Sequence, residues 1–198
     1  MGFFSWAAPL VRHWGDRWTA EDAEQVASWL RGAVPPGGRV LDVGGGAGQL
    51  ALLLSTALDA DVTVLDPTPA LVEYVPSHPR VAGKLGAAED MPFADSAFDA
   101  ALASDAFHHF RDQDAAVREL ARVVRPGGSV LVLDFDPSTI GMKLVRLGER
   151  LVGEPGTFHT TEGMCAFMAA RGVNGECQRL RGASYRFLGT VVKPEDAA

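Results

Sequence analysis

Two acids and three glycines carry the chemistry most plainly readable in this chain. Asp42 sits near the end of an apolar run, Arg39-Val40-Leu41-Asp42-Val43, and Gly44, Gly46 and Gly48 follow at alternate positions before a second apolar run starts at Leu50. Glycines at that spacing let the backbone bend sharply and bare its N–H groups to a ligand near the positive end of a following helix. Asp66 closes a β-rich run, Asp61-Val62-Thr63-Val64-Leu65-Asp66, one βαβ step further along. An acid at such a strand end can accept from both hydroxyls of a ribose, so the expected ligand is of nucleotide type. The plainer role for Asp66 is a turn or helix-capping residue ahead of Pro67.

Which nucleotide is the next question. Gly46, Gly48 and Ala51 satisfy the looser form of the dinucleotide fingerprint. Against it, Asp42 precedes the glycines inside the strand end, and the first glycine of that reading falls late. A phosphate-binding P-loop is excluded, because no Gly-Lys-Ser or Gly-Lys-Thr follows the turn.

A second group of reactive side chains, Ser104, Asp105, His108 and His109, follows the apolar run Phe98–Ala103. Neutral imidazole titrates near working pH, which makes His108 and His109 candidate proton acceptors. Either could instead pack, cap or orient a substrate. Asp134 and Asp136 are second candidates, with turn contacts as their alternative.

Elements must bring these groups together. Short apolar runs alternate with amphipathic ones, which predicts an α/β fold with a mainly parallel sheet. Strands are expected over 39–43, 61–65, 81–85, 98–103, 129–134, 176–181 and 185–192. Helices are expected over 47–58, 68–75, 113–124 and 138–152, with another from a Thr160 or Thr161 cap to Ala170. In open α/β sheets ligands bind outside the carboxyl ends of the strands, where Asp42 to Gly48, Asp66, Ala87 to Glu89 and Ser104 to His109 all fall.

Composition narrows the function class. The 198 residues are 47% hydrophobic and carry a formal net charge of −7, which suits one domain and disfavours a nucleic-acid partner, since a phosphate backbone needs a basic face. No apolar run approaches the ~18 residues of a membrane span, and no signal-peptide n-region is present. Cys165 and Cys177 lack metal-ligand spacing, so no metal is expected. They are expected reduced, in a cytoplasmic protein. All four tryptophans, Trp6, Trp14, Trp18 and Trp29, precede residue 30, with Phe3 and Phe4 beside them. Such a segment could form a lid over an apolar or aromatic substrate, or pack as a core helix.

Asp42 to Gly48, Asp66, Gly86-Ala87-Ala88-Glu89-Asp90-Met91-Pro92-Phe93, Phe98–Ser104 and Arg122-Val123-Val124-Arg125-Pro126-Gly127-Gly128 occur in order. Together they resemble the class I S-adenosylmethionine-dependent methyltransferases, in the small-molecule branch that includes the ubiquinone and menaquinone C-methyltransferases. The resemblance implies a Rossmann-like three-layer α/β/α sandwich with seven strands, the last antiparallel. It implies one methyltransferase domain over 1–198, with a helical lid at 1–34, a cofactor-binding core at 37–136, and C-terminal helices and strands at 137–198. The cofactor would be S-adenosylmethionine and the product S-adenosylhomocysteine. Asp42, Gly44, Gly46, Ala47 (through its backbone), Gly48 and Ser104 would border it. Asp66 would hold the ribose, and Ala87, Ala88 and Glu89 would lie along the adenine. The partner would be a small-molecule methyl acceptor. Two alternatives stand beside it: an NAD-dependent oxidoreductase, and a non-catalytic cofactor-binding protein of the same fold.

Overall fold

β1 (Arg39–Val43), β2 (Asp61–Asp66) and β4 (Phe98–Ser104) are runs of Val, Leu and Ala buried on both faces, the pattern of parallel strands covered by helices on either side. They form the middle of the sheet in a computed structural model that describes residues 18–139, 142 and 156–192. The other elements are α1 (Ala20–Leu30), α2 (Gln49–Ala57), a short α3 (Pro69–Val72), β3 (Val81–Leu85), α4 (Gln113–Val123), β5 (Val124–Phe135), α5 (Thr161–Ala169), β6 (Val173–Arg179) and β7 (Ser184–Val191). The strand order is β3-β2-β1-β4-β5-β7-β6. All pairs from β3 across to β5 are parallel, and β7 runs antiparallel to both β5 and β6.

Alternating side chains sort into two cores. Val40, Val62, Val64, Ala100 and Leu102 meet α1 and α2 on one face, whereas Leu41, Val43, Leu65, Ala101 and Ala103 meet α4 and α5 on the other. The expected three layers result. β1 pairs with β2 on one side and β4 on the other, so the chain's direction of winding reverses at β1. The carboxyl ends of these strands therefore open a crevice holding Asp42, Asp66 and Ser104.

Among the departures from expectation are two boundaries and a cysteine pairing. β5 starts at Val124 because that residue pairs with Phe98 across a register shift. α3 stops at Val72, as the amides of Tyr74 and Val75 bond back to Leu71 and Val72 ahead of Pro76. α5 runs back beside β6 and puts Cys165 and Cys177, with Cα atoms 6.0 Å apart, in a disulfide. That overturns the expectation of two reduced thiols, which rested on spacing alone.

α1 opens with a capping box. The Thr19 hydroxyl accepts from the Asp22 amide, and the Asp22 carboxylate accepts from the Thr19 amide. Ala23, Val26, Ala27 and Leu30 on its inner face are buried against the core. The lid residues Phe3, Phe4, Trp6 and Trp14, and most of the helix expected over 138–152, lie outside the described residues.

Candidate active site

Three of the four glycines of the β1–α2 turn, Gly44, Gly46 and Gly48, have positive φ, yet they face different things. A Cβ on Gly44 (φ +74°) would stand 2.6 Å from Ala106 Cβ, so this glycine lets the turn press against the loop after β4. Gly48 is closed in by Val75, Val64 and Pro76. A Cβ on Gly46 (φ +57°) would meet nothing nearer than Leu71 Cδ1 at 4.0 Å. The backbone at Gly46 is thus bare on the side where packing against the fold does not require it.

Asp66 organises this turn. Its Oδ2 accepts from the Gly46 amide at 3.1 Å and its Oδ1 from the Thr68 amide at 2.8 Å. Both bonds come from backbone, and each carboxylate oxygen has a further lone pair for a ligand hydroxyl. Burial raises the Asp66 carboxyl pKa, against the lowering by its bonds from Thr68 and Gly46. Asp42 is 1% exposed, and its Oδ2 has no hydrogen-bond partner. Burial, with the negative charge of Asp66 added, pushes its pKa up to about 7. Gln49 Oε1, at the first turn of α2, is likewise buried without a partner. Two acceptors wanting donors and a bared backbone fit S-adenosylmethionine, whose ammonium supplies the donors and whose positive charge offsets that of paired carboxylates.

A raised Asp42 pKa binds a proton more tightly in the folded chain than in the unfolded one. Its stabilising effect is therefore complete below about pH 4 and disappears as pH rises through about 7. Asp42→Asn, which stays neutral, should melt close to the wild type near pH 4 and increasingly above it as pH rises toward 8. Paired thermal melts across that range check it, and parallel curves would show that Asp42 keeps an ordinary pKa.

The remaining expected cofactor residues sit around the same crevice. Ala87 and Asp90 form an isolated antiparallel bridge, and Ala88 is buried. Glu89 is engaged elsewhere: its Oε1 accepts from the amides of Arg111 at 2.7 Å and Asp112 at 3.2 Å. Ser104 borders a cleft of 1060 Å³ between α1 and the β6–β7 turn, walled by Trp18, Val26 and Trp29 and reaching Asp134 and Tyr185. Asp105, also at its edge, has φ +57°, in the left-handed region that Asp enters more readily than most non-glycine residues.

His108 is 5% exposed and tied down on several sides. Its Nδ1 lies 2.7 Å from Asp134 Oδ1, and its amide donates to Asp134 Oδ2 at 3.1 Å. The ring stacks on Phe158, with centroids 4.3 Å apart, and lies against His109. Gln113 fixes the segment that carries Phe158, donating to the carbonyls of Phe107 and Thr157. Beside it, burial and the neighbouring His108 push the His109 pKa down to about 4. Asp136 has a different task, accepting from Ser138, from the amide and hydroxyl of Thr161, and from Arg179. The bonds from Ser138 and Thr161 hold its carboxyl well below the usual range despite burial. Gln49 and Tyr185 were not among the sequence candidates, since a glutamine at a helix start and a tyrosine in an apolar strand carry no spacing signal.

A family model described as a methyltransferase domain matches residues 41–132. The chain is 36% identical over 110 residues to the ubiquinone/menaquinone biosynthesis C-methyltransferase of Rubrivivax gelatinosus, covering 54% of this chain and 43% of that one. It is 30% identical over 175 residues to the 27-O-demethylrifamycin SV methyltransferase of Amycolatopsis mediterranei, covering 77% and 64%. It therefore spans only about half the length of these curated relatives. The fold matches that of a crystal structure from Thermotoga maritima, described as a SAM-dependent methyltransferase and possible histamine N-methyltransferase, with a TM-score of 0.75 at 21% identity over 95% of this chain and 98% of that one. An antiparallel β7 between β5 and β6 also departs from the 3-2-1-4-5-6 order of dinucleotide folds. With the acid-and-glycine crevice, these likenesses support a class I S-adenosylmethionine-dependent methyltransferase.

Proposed function

We propose that this chain transfers a methyl group from S-adenosylmethionine to a small apolar or aromatic acceptor. The observation that carries the proposal is the crevice in which Gly46 is bare, Asp66 is oriented by two amides, and Oδ2 of Asp42 lacks a hydrogen-bond partner. Gly46, with Ala47 and Gly48 behind it, gives backbone approach. Asp66 accepts from the ribose diol, Asp42 and Gln49 accept from the ammonium, and Ala87 and Ala88 lie along the base. The bound cofactor supplies an electrophilic methyl carbon on a sulfonium. The chain's part is to hold the acceptor in the cleft between Trp18 and Trp29, in line with that carbon, and to take any proton the acceptor gives up. Alignment alone can supply much of the rate.

His108 is the better proton acceptor of the two histidines. A carboxylate on Nδ1 favours the tautomer with its proton there, which puts the basic lone pair on Nε2. A group with the pKa of His109 is too weak a base to compete.

Ligand-induced thermal stabilisation tests the proposal. S-adenosylhomocysteine at about 100 times its Kd should add roughly 2.7 kcal/mol of stability, with NAD adding none. The reverse pattern would restore the oxidoreductase alternative. Asp66→Asn leaves an oxygen for one of the two amides but removes the charge. It should weaken S-adenosylhomocysteine binding by about 1.5 to 3 kcal/mol, the range for hydrogen bonds to a charged group. Calorimetry reads the change, and an unaltered Kd removes Asp66 from the ribose site.

A further inference from the structure

Tyr185 is among the largest fully buried side chains described, and its hydroxyl has no hydrogen-bond partner. A phenylalanine would fill the same space without leaving a buried donor unsatisfied. The acceptors nearest by strand register are already committed. Tyr185 stands opposite Asp134 across the β5–β7 pair, but both oxygens of Asp134 accept from His108, and Oδ1 also accepts from the Phe135 amide. Asp136 is occupied by Ser138, Thr161 and Arg179. Burial, with these two charges added, holds the phenol pKa far above its usual value, so the hydroxyl keeps its proton and acts as a donor. Tyr185 lines the same cleft as Asp134 and Ser104, and the opposite wall carries Trp18 and Trp29. Charged side chains such as Asp22, Arg179 and Arg181 also line the cleft, and its two indoles, with the buried unsatisfied donor of Tyr185 beside them, suit an aromatic ligand with an oxygen to offer.

We propose that Tyr185 donates a hydrogen bond to an oxygen of the methyl acceptor, so that the cleft selects aromatic acceptors bearing a hydroxyl or its oxyanion. The proposal rests on the methyl-transfer reading of the site. It makes Tyr185 a specificity-determining residue, and it brings the acceptor oxygen to the part of the cleft where Asp134 holds His108.

The test compares 2-naphthol with naphthalene as fluorescent probes of the S-adenosylhomocysteine-saturated protein. The wild type should bind 2-naphthol about tenfold more tightly, equivalent to ~1.4 kcal/mol. Tyr185→Phe should erase that preference, leave naphthalene binding unchanged, and melt no lower than the wild type. A preference that survives the substitution overturns the proposal, as does a wild type that fails to discriminate or binds neither probe. A lower melting temperature for Tyr185→Phe would assign the hydroxyl to the fold and overturn it as well. S-adenosylhomocysteine titrated alone separates the two levels. Its failure to bind would overturn the methyl-transfer reading itself, whereas lost discrimination with it still bound overturns Tyr185 alone.

Discussion

Gly46→Val is expected to reduce S-adenosylhomocysteine affinity by two orders of magnitude or more while the sheet still forms. A Cβ at this position would project into space whose nearest boundary is Leu71 at 4.0 Å, so the fold itself has room for a side chain. The room is where the ligand must lie. A branched residue at φ +57° also strains the turn, by roughly 1 to 2 kcal/mol, and the Gly46 amide helps aim Asp66. Gly44→Ala provides the contrast, because its methyl would meet Ala106 at 2.6 Å and should lower the melting temperature. Calorimetry with melts and circular dichroism on both variants reads the difference. A Gly46→Val protein that is folded and binds normally would mean that this turn does not cradle the cofactor.

The contrast between these glycines marks where sequence stops and structure begins. Their alternate spacing after an apolar strand announces a tight turn, and positive φ at all three bears that out. Which of them faces a ligand depends on Ala106, Val64 and Val75, residues brought in from other elements. Strand centres were legible for a related reason. β1, β2 and β4 are buried on both faces, so each reads as a mainly apolar run. Position along the strand then put Asp42, Asp66 and Ser104 at one end of the sheet.

Side-chain partners were far less legible. Glu89 stands in a motif that suggests adenine, yet its carboxylate is used by the amides of Arg111 and Asp112 on the loop leading into α4. Asp134 and Asp136 look alike in sequence, two apart at the end of β5. Alternation would put both on one face of the sheet; Asp134, still within β5, meets His108, whereas Asp136, just past the strand, meets the start of α5. The disulfide depends on α5 folding back along β6. Each of these contacts is set by packing between elements, which residue type and spacing do not encode.

The contact between Asp134 and His108 at the end of β5 also sets up the largest effect expected on the rate. If His108 takes the acceptor's proton, His108→Gln should lower the methyl-transfer rate by about 10²-fold or more with cofactor affinity kept. Loss of a buried, stacked ring could lower stability too, so a second substitution is needed that leaves the imidazole in place. Asp134→Asn does this. Loss of the carboxylate charge removes what favours the proton on Nδ1 and stabilises the imidazolium, which weakens the base without removing the ring. Both variants should then lose rate, while His109→Gln, whose imidazole is held near a pKa of 4, should change it little. Thermal melts and S-adenosylhomocysteine titrations come first, followed by single-turnover rates with labelled cofactor and an acceptor that the wild type methylates. If His108→Gln and Asp134→Asn melt early but keep the wild-type rate per folded molecule, the pair serves only to anchor the loop after β4. Alignment within the cleft would then account for transfer without a base.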